Sequence, residues 1–174
     1  MVVAEAGAAA GQQRANLRTI EQLYAAFERC DGDAMQAFYA PQATFDDAVF
    51  SLHGAHEIGG MWRMLCRSAR KRSRDAWQLA AGGFEVEGER GRAHWEATYL
   101  YGSADRRVHN SVDAEFEFGA DGFILRHHDH FDFRPWAHQA LGWPGQLLGW
   151  SPLLQRFVRR QAADKLARFL ASHL

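Results

Sequence analysis

Cysteine is scarce in this chain, and its scarcity removes two classes of protein at once. With only Cys30 and Cys66 among 174 residues, there is no disulfide framework and no cysteine set at metal-ligand spacing. Both fall in stretches of helical periodicity and are read as reduced, buried, small hydrophobes, a usage that favours the cytoplasm. Long apolar runs are also missing. Nothing approaches the ~20 uninterrupted apolar residues that cross a bilayer, so no membrane span is predicted and the protein is expected to be soluble. Neither sign of charge dominates, since 20 Lys and Arg stand against 21 Asp and Glu. The positive field of a general nucleic-acid binder is therefore absent. Nor is a secretory signal expected from Met1 to Gln13, which is Ala- and Gly-rich with no basic segment ahead of an apolar one. Residues 1–14 are expected to form a mobile tail.

What is present is enough for one domain. The 47% hydrophobic content fills a single core, and the length leaves little room for a second. From Asn16 to Cys30, the residues Leu17, Ile20, Leu23, Tyr24 and Phe27 recur at helical spacing. Asp31-Gly32 stops this helix, and Asp33 is expected to cap a short second one carrying Met35, Phe38 and Tyr39. Ala43 to Phe50 is a first strand candidate. His56 to Ala69 is a third helix, with Ile58, Met61, Trp62 and Leu65 on one stripe. The cations Arg67, Arg70, Lys71, Arg72 and Arg74 follow at its C-terminal end, where they complement the helix dipole and solvate a turn.

The next segments alternate with period 2. Trp77 to Val86 is a strand interrupted by Gly82-Gly83, a bulge or bend in a curved sheet. Ala93 to Tyr101 and Val108 to Phe118 follow; in the second, an apolar face from Val108 to Phe118 opposes His109, Ser111, Asp113, Glu115 and Glu117. A one-residue slip would bury that acidic face, so the register is fixed. Phe123 to Phe133 places Leu125, His127, Asp129, Phe131 and Phe133 on one face and Arg126, His128, His130 and Asp132 on the other. Helices followed by long antiparallel strands define an α+β domain over residues 15–133, in which a curved sheet wraps three N-terminal helices.

Residues 134–174 are expected to form a helical extension packed on that domain. Trp136, Leu141, Trp143, Leu147, Leu148 and Trp150 are too apolar for a solvated tail. After Pro152, a helix sets Leu154, Phe157, Val158, Leu166 and Leu170 against Arg156, Arg159, Arg160, Lys165 and Arg168.

Chemistry is concentrated on the last strand. An imidazole and a carboxylate on a face shared with hydrophobes suit proton transfer, because burial and neighbours move their protonation toward working pH. The alternative is a satisfied buried ion pair. His128 and His130 on the opposite face could seed a metal site with His109 or His94, but outward histidines on a packed sheet are more ordinary, and no metal is assigned. Asp47 is either an acid/base group or a turn residue beside Asp46.

Several segments together resemble the nuclear transport factor two-like superfamily, which includes ketosteroid isomerases and SnoaL-like polyketide cyclases. These are Tyr24-Ala-Ala-Phe27 leading to Asp31, then Ala40 to Asp47, Gly54 to Trp62, and the paired strands ending in Phe131. The resemblance implies a cone of curved antiparallel sheet closed by three helices around a deep apolar cavity. It carries the ketosteroid isomerase base onto Asp47. The oxyanion tyrosine of that family falls on Leu23, with Tyr24 one place late, and its protonated aspartate falls on Ala114, with Asp113 one place early. That mechanism is accordingly not expected. The same registration places Trp62, Trp95, Tyr99, Asn110, Phe116 and Phe131 along the cavity, with Tyr24 kept among the residues that meet a substrate. Arg126 to Asp129 resembles the cyclase segment whose aspartate is the general acid/base, which assigns that role to Asp129 with His127 sharing its proton. Epoxide hydrolysis, known elsewhere in the superfamily, would need an inward Asp-Arg-Asp set, and no arginine is identified for it.

The resulting expectation is a cofactor-independent isomerase, cyclase or dehydratase for a small apolar carbonyl or hydroxyl compound. Its catalytic groups are Asp129, His127 and Asp47, with Asn110 positioning a carbonyl, and a homodimer is expected from the family. The rival is a ligand-binding or dimeric interaction module whose cone is filled by aromatic side chains, with Trp143 or Trp150 as the plug.

Overall fold

A computed structural model describes residues 2–72, 75–143 and 151–172. Its centre is a curved six-stranded sheet in the order β2-β1-β6-β5-β4-β3, open at both edges. The strands are β1 (Tyr39–Asp46), β2 (Ser51–His53), β3 (Gln78–Glu87), β4 (Arg90–Tyr101), β5 (Arg106–Phe118) and β6 (Ile124–His130). The concave face holds α1 (Val2–Glu28), α2 (Gly32–Gln36) and α3 (Ala55–Arg72). The expected α+β cone is the architecture of the chain. One neighbour pair differs from the antiparallel expectation: β1 and β6 run parallel, which their separation by α3 and four strands permits.

Local chemistry explains the ends of the elements. The helix predicted from Asn16 starts at Val2, so the Ala/Gly-rich stretch is helical. It ends in a Schellman motif, with Cys30 N–H donating to Phe27 O and Asp31 N–H to Ala26 O, both at 2.9 Å, and Cys30 itself left-handed at φ 54°. Asp31, not Asp33, caps α2: its carboxylate accepts from Ala34 N at 3.1 Å. A Cβ on Gly32 would sit 2.6 Å from Arg63 N, so only glycine lets α2 approach α3 this closely.

Tyr39 belongs to β1 rather than to the short helix, and a register irregularity between Tyr39 and Thr44 breaks the alternation there. The Gly82-Gly83 interruption is a bulge, with Gly83 at φ 61°. A second bulge opposite Phe118 turns Ile124 inward and leaves Leu125 only partly buried.

β6 stops at His130 because Asp132 caps α4 (Phe133–Leu141), accepting from Arg134 N at 3.0 Å. Phe133 is therefore the first residue of a helix and not part of the strand face. Gln139 of α4 bonds both the N–H and the C=O of His109, so a side-chain amide completes part of β5 that β6 does not reach.

α5 (Pro152–Ala171), capped by Ser151, lies against α3, where Leu170 and Leu166 meet Gly60. Val158 and Leu166 are buried, whereas Phe157, expected on the apolar stripe, is 57% exposed. Val108, Phe133, Trp136, Ala137, Ala140 and Val158 form a second, smaller core at the mouth of the cone. Arg74, Leu147, Leu148 and Trp150 lie outside the described residues, as does the side chain of Arg72.

Candidate active site

The alternation of β6 sends His127 and Asp129 into the concave face, 2% and 3% exposed, while His128 and His130 point outward. His127 Nε2 lies 2.9 Å from Asp129 Oδ1, and its Nδ1 lies 2.7 Å from Tyr39 Oη. Tyr39 Oη also accepts from Trp62 Nε1 at 3.1 Å.

Donor chemistry fixes the direction of this chain. An indole can only donate, so Trp62 gives its N–H to Tyr39. Tyr39 then gives its O–H to His127 Nδ1, which places the imidazole proton on Nε2, facing Asp129. Protonating both ring nitrogens would strand the Tyr39 hydroxyl proton in a buried site, and a stranded donor there costs about 1–3 kcal/mol. Asp129 Oδ1 receives a further N–H from Trp95 Nε1 at 3.4 Å. Burial, and then the Asp129 charge, hold the Tyr24 phenol well above its ordinary pKa. Tyr39 is raised as well, chiefly by burial, so both phenols are neutral. The Tyr24 hydroxyl is buried without a hydrogen-bond partner among the described residues.

The aromatic residues expected around this pair divide into two groups. Trp62, Trp95, Phe116 and Tyr24 surround it in the interior, and they pack against one another. Phe116 lies 4.3 Å from the His127 ring, and Phe27 fills the space between Trp62 at 5.0 Å and Trp95 at 5.5 Å. Tyr99 and Phe131 stand instead at the mouth, with Trp136 of α4, whose Nε1 donates to Tyr99 Oη at 2.9 Å. Trp136 is the tryptophan of the extension that packs on the domain, against Tyr99, Tyr101 and Phe131. Trp143 is 70% exposed and plugs nothing, and Trp150 lies outside the described residues. Asn110 is 9% exposed on the inner face of β5, and its side chain makes no hydrogen bond among the described residues.

Asp129, though almost fully buried, borders a cleft. The cleft, of about 480 Å³, is lined by Asp47, Ala48, Asp129, Phe131, Arg159 and the edge of β6. Asp47 closes the turn between β1 and β2, its Oδ1 accepting from Val49 N at 2.6 Å and Phe50 N at 2.5 Å. Burial pushes its carboxyl up to about 7, against the opposing effect of those two N–H bonds, with the Asp129 charge adding to the rise. Asp47 thus fills the turn role and also faces Asp129 across the cleft. From α5, Arg159 donates to Asp47 O at 2.6 Å and Ala48 O at 3.0 Å, and Gln155 donates to Ala48 O at 3.0 Å.

Two contributors leave no signal in local sequence. The bulge in β1 breaks the alternation that would reveal Tyr39, and Arg159 lies outside the domain core in sequence, with its nitrogens bonded to main-chain carbonyls.

On the outer face, the His128 and His130 rings stack at 3.9 Å, and burial followed by His130 lowers the His128 pKa. Asp113 also faces outward, 2.7 Å from His94 Nδ1. Among the described residues, no group of three or more His, Cys, Asp or Glu could hold a metal ion. No described helix is long and apolar enough to cross a membrane.

A half-open curved sheet wrapped on three helices is the nuclear transport factor two-like fold, shared with a Burkholderia pseudomallei protein at 19% identity and TM-score 0.59 over 72% of this chain and 97% of that one. Within it, the chain belongs to the SnoaL-like domain family, whose model matches residues 20–127. Similar solved structures include a Mycobacterium tuberculosis LEH-like epoxide hydrolase, at 20% identity and TM-score 0.56 over 82% of this chain and 96% of that one. TerC co-crystallised with polyporic acid is 15% identical, with TM-score 0.59 over 74% and 99%. A Jannaschia protein assigned as a SnoaL-like polyketide cyclase is 12% identical, with TM-score 0.60 over 75% and 94%. At these identities the likeness is one of fold. No curated protein sequence matches the chain.

Proposed function

We propose that this SnoaL-like protein is a cofactor-independent acid/base enzyme acting on a small apolar carbonyl or hydroxyl compound. One observation carries the reading: Asp129 is at once the end of a buried Tyr39–His127 hydrogen-bond chain and part of the cleft wall. A carboxylate so placed can take a proton from carbon next to a substrate carbonyl and return it elsewhere, the common step of isomerisation, cyclisation and dehydration. The imidazole N–H and the Trp95 N–H hold the accepting oxygen in place. A positioned acid/base group contributes about 10²- to 10⁴-fold. Asp47, with a carboxyl that titrates near neutrality, is the second acid/base group across the cleft, and no covalent nucleophile is required. Asn110 offers an unengaged amide to a carbonyl on the inner face.

The contact among Phe27, Trp62 and Trp95 favours a second reading, in which the interior is filled and the protein is a binding or dimerisation module. A ligand-detected screen of apolar ketones, lactones and polycyclic phenols against wild type and Asp129→Asn separates the two. Turnover lost in the variant with binding kept supports the enzyme; binding without turnover, or no binding, supports the module. Sedimentation of the full chain tests the expected homodimer.

A further inference from the structure

The cleft beside Asp129 holds one permanent cation. Among the described residues that line it, Asp47, Asp129 and Asp132 present carboxyl oxygens, Ala48 and Phe131 are apolar, and Arg159 alone carries a fixed positive charge. The rings of His128 and His130 stack on the outer face of β6. Arg159 arrives from α5, and its neighbours set its position: Val158 is buried in the second core, and Leu166 further along meets Gly60 of α3. Nε donates to Ala48 O at 3.0 Å and Nη2 to Asp47 O at 2.6 Å. These bonds fix the guanidinium against the turn between β1 and β2 and leave Nη1 without a partner among the described residues.

We propose, on the acid/base reading of Asp129, that Arg159 is the electrophilic catalytic residue of this cleft, donating from Nη1 to the oxygen of a neutral ketone or aldehyde while Asp129 removes the adjacent proton. The C–H bond next to the carbonyl breaks, and its proton passes to the Asp129 carboxylate. Its electron pair forms a carbon–carbon double bond, and the carbonyl π pair moves onto oxygen as an enolate. Return of the proton to the same or another carbon closes the step, and no oxidant or reductant is consumed.

A carbon next to a carbonyl is a far weaker acid than a carboxyl group, so this transfer runs uphill unless the new oxyanion is held. Charge leaves Asp129 as it appears on the substrate oxygen, and the cleft gains none overall. A neutral carbonyl therefore meets no repulsion from the carboxylates that line the cleft, whereas an anionic substrate would. The substrates are thus uncharged, enolisable carbonyl compounds. A guanidinium already held by two main-chain oxygens needs little reorganisation to meet the enolate. Arg159 is exposed, which screens its charge, so removing it should cost about 10- to 100-fold rather than the ~10²- to 10³-fold of a donor in a water-excluded oxyanion hole.

The test is deuterium incorporation from heavy water at the carbons beside the carbonyl of 2-tetralone, followed by proton NMR with the full chain. Wild type should exchange faster than buffer, and Asp129→Asn should not. Arg159→Gln should lose about 10- to 100-fold in kcat with a much smaller change in KM, the mark of an interaction made in the transition state. Arg159→Lys keeps the charge without the fork and should fall between the two. Gln155→Ala removes a neighbouring bond from α5 to Ala48 O but no side chain of the cleft, and should exchange like wild type. Exchange lost in Asp129→Asn but unchanged in Arg159→Gln, or equal losses in Arg159→Gln and Gln155→Ala, would overturn the role of Arg159 alone. Wild type no faster than buffer would remove the acid/base reading and this role with it.

Discussion

His127 Nε2 stands 2.9 Å from Asp129 Oδ1, and the two residues occupy successive inward positions of one strand. Each also has a second partner, Tyr39 for His127 and Trp95 for Asp129, so the pair is held at both ends. His127→Ala would leave a buried carboxylate facing a cavity, a loss of about 3–5 kcal/mol. Urea unfolding of the variant against wild type checks the size.

Tyr39→Phe keeps the ring and deletes one oxygen. Trp62 Nε1 loses its acceptor and His127 Nδ1 its donor, which predicts a cost of about 1–3 kcal/mol without loss of the fold. The imidazole tautomer is then no longer imposed. Nitrogen NMR of His127 should show a single Nε2–H tautomer in wild type and a mixture in the variant; an unchanged tautomer would refute the directional chain.

Asp47 makes stability depend on pH in an unusual sense. Its folded-state carboxyl titrates at about 7 against an ordinary 3.8, so between those values the folded protein keeps a proton that the unfolded chain releases. Stability contributed by that proton is present at low pH and declines as pH rises from about 4 to about 7. At ~1.4 kcal/mol per pKa unit, the decline is bounded at about 4 kcal/mol. Asp47→Asn retains an acceptor for Val49 and Phe50 and should flatten the slope. Equal slopes in the two proteins, measured by urea unfolding from pH 4 to 8, would exclude Asp47 as the source.

Trp136 is 5% exposed and joins the extension to the cone through Tyr99. Trp136→Ala should cost about 3–5 kcal/mol, and Trp136→Phe about 1–3 kcal/mol, chiefly because the Tyr99 hydroxyl loses its donor. If α4 were a loose appendage, both variants would melt with wild type in calorimetry.

Gly32→Ala tests the approach of α2 to α3. Its Cβ would collide with the backbone of Arg63, which cannot rotate away as a side-chain end would. A loss of about 1–3 kcal/mol is expected, read as a lowered urea midpoint.

The sequence by itself determined the strands and what they carry. Strict alternation in β5 fixed which face is buried, because any slip would bury Asp113, Glu115 and Glu117, and alternation in β6 put His127 beside Asp129 on the inward face. Turn chemistry located the Gly82-Gly83 bulge and the end of α1. Only the tertiary structure decided what those inward groups meet. The Tyr39 partner of His127 depends on a bulge and a parallel pairing of β1 with β6, neither of which leaves a periodic trace in local sequence. Arg159 reaches the Asp47 turn across a long separation that local periodicity does not encode. Trp136 rather than Trp143 is buried against the domain because Asp132 ends the strand early and starts a helix there, with a capping hydrogen bond to Arg134 N.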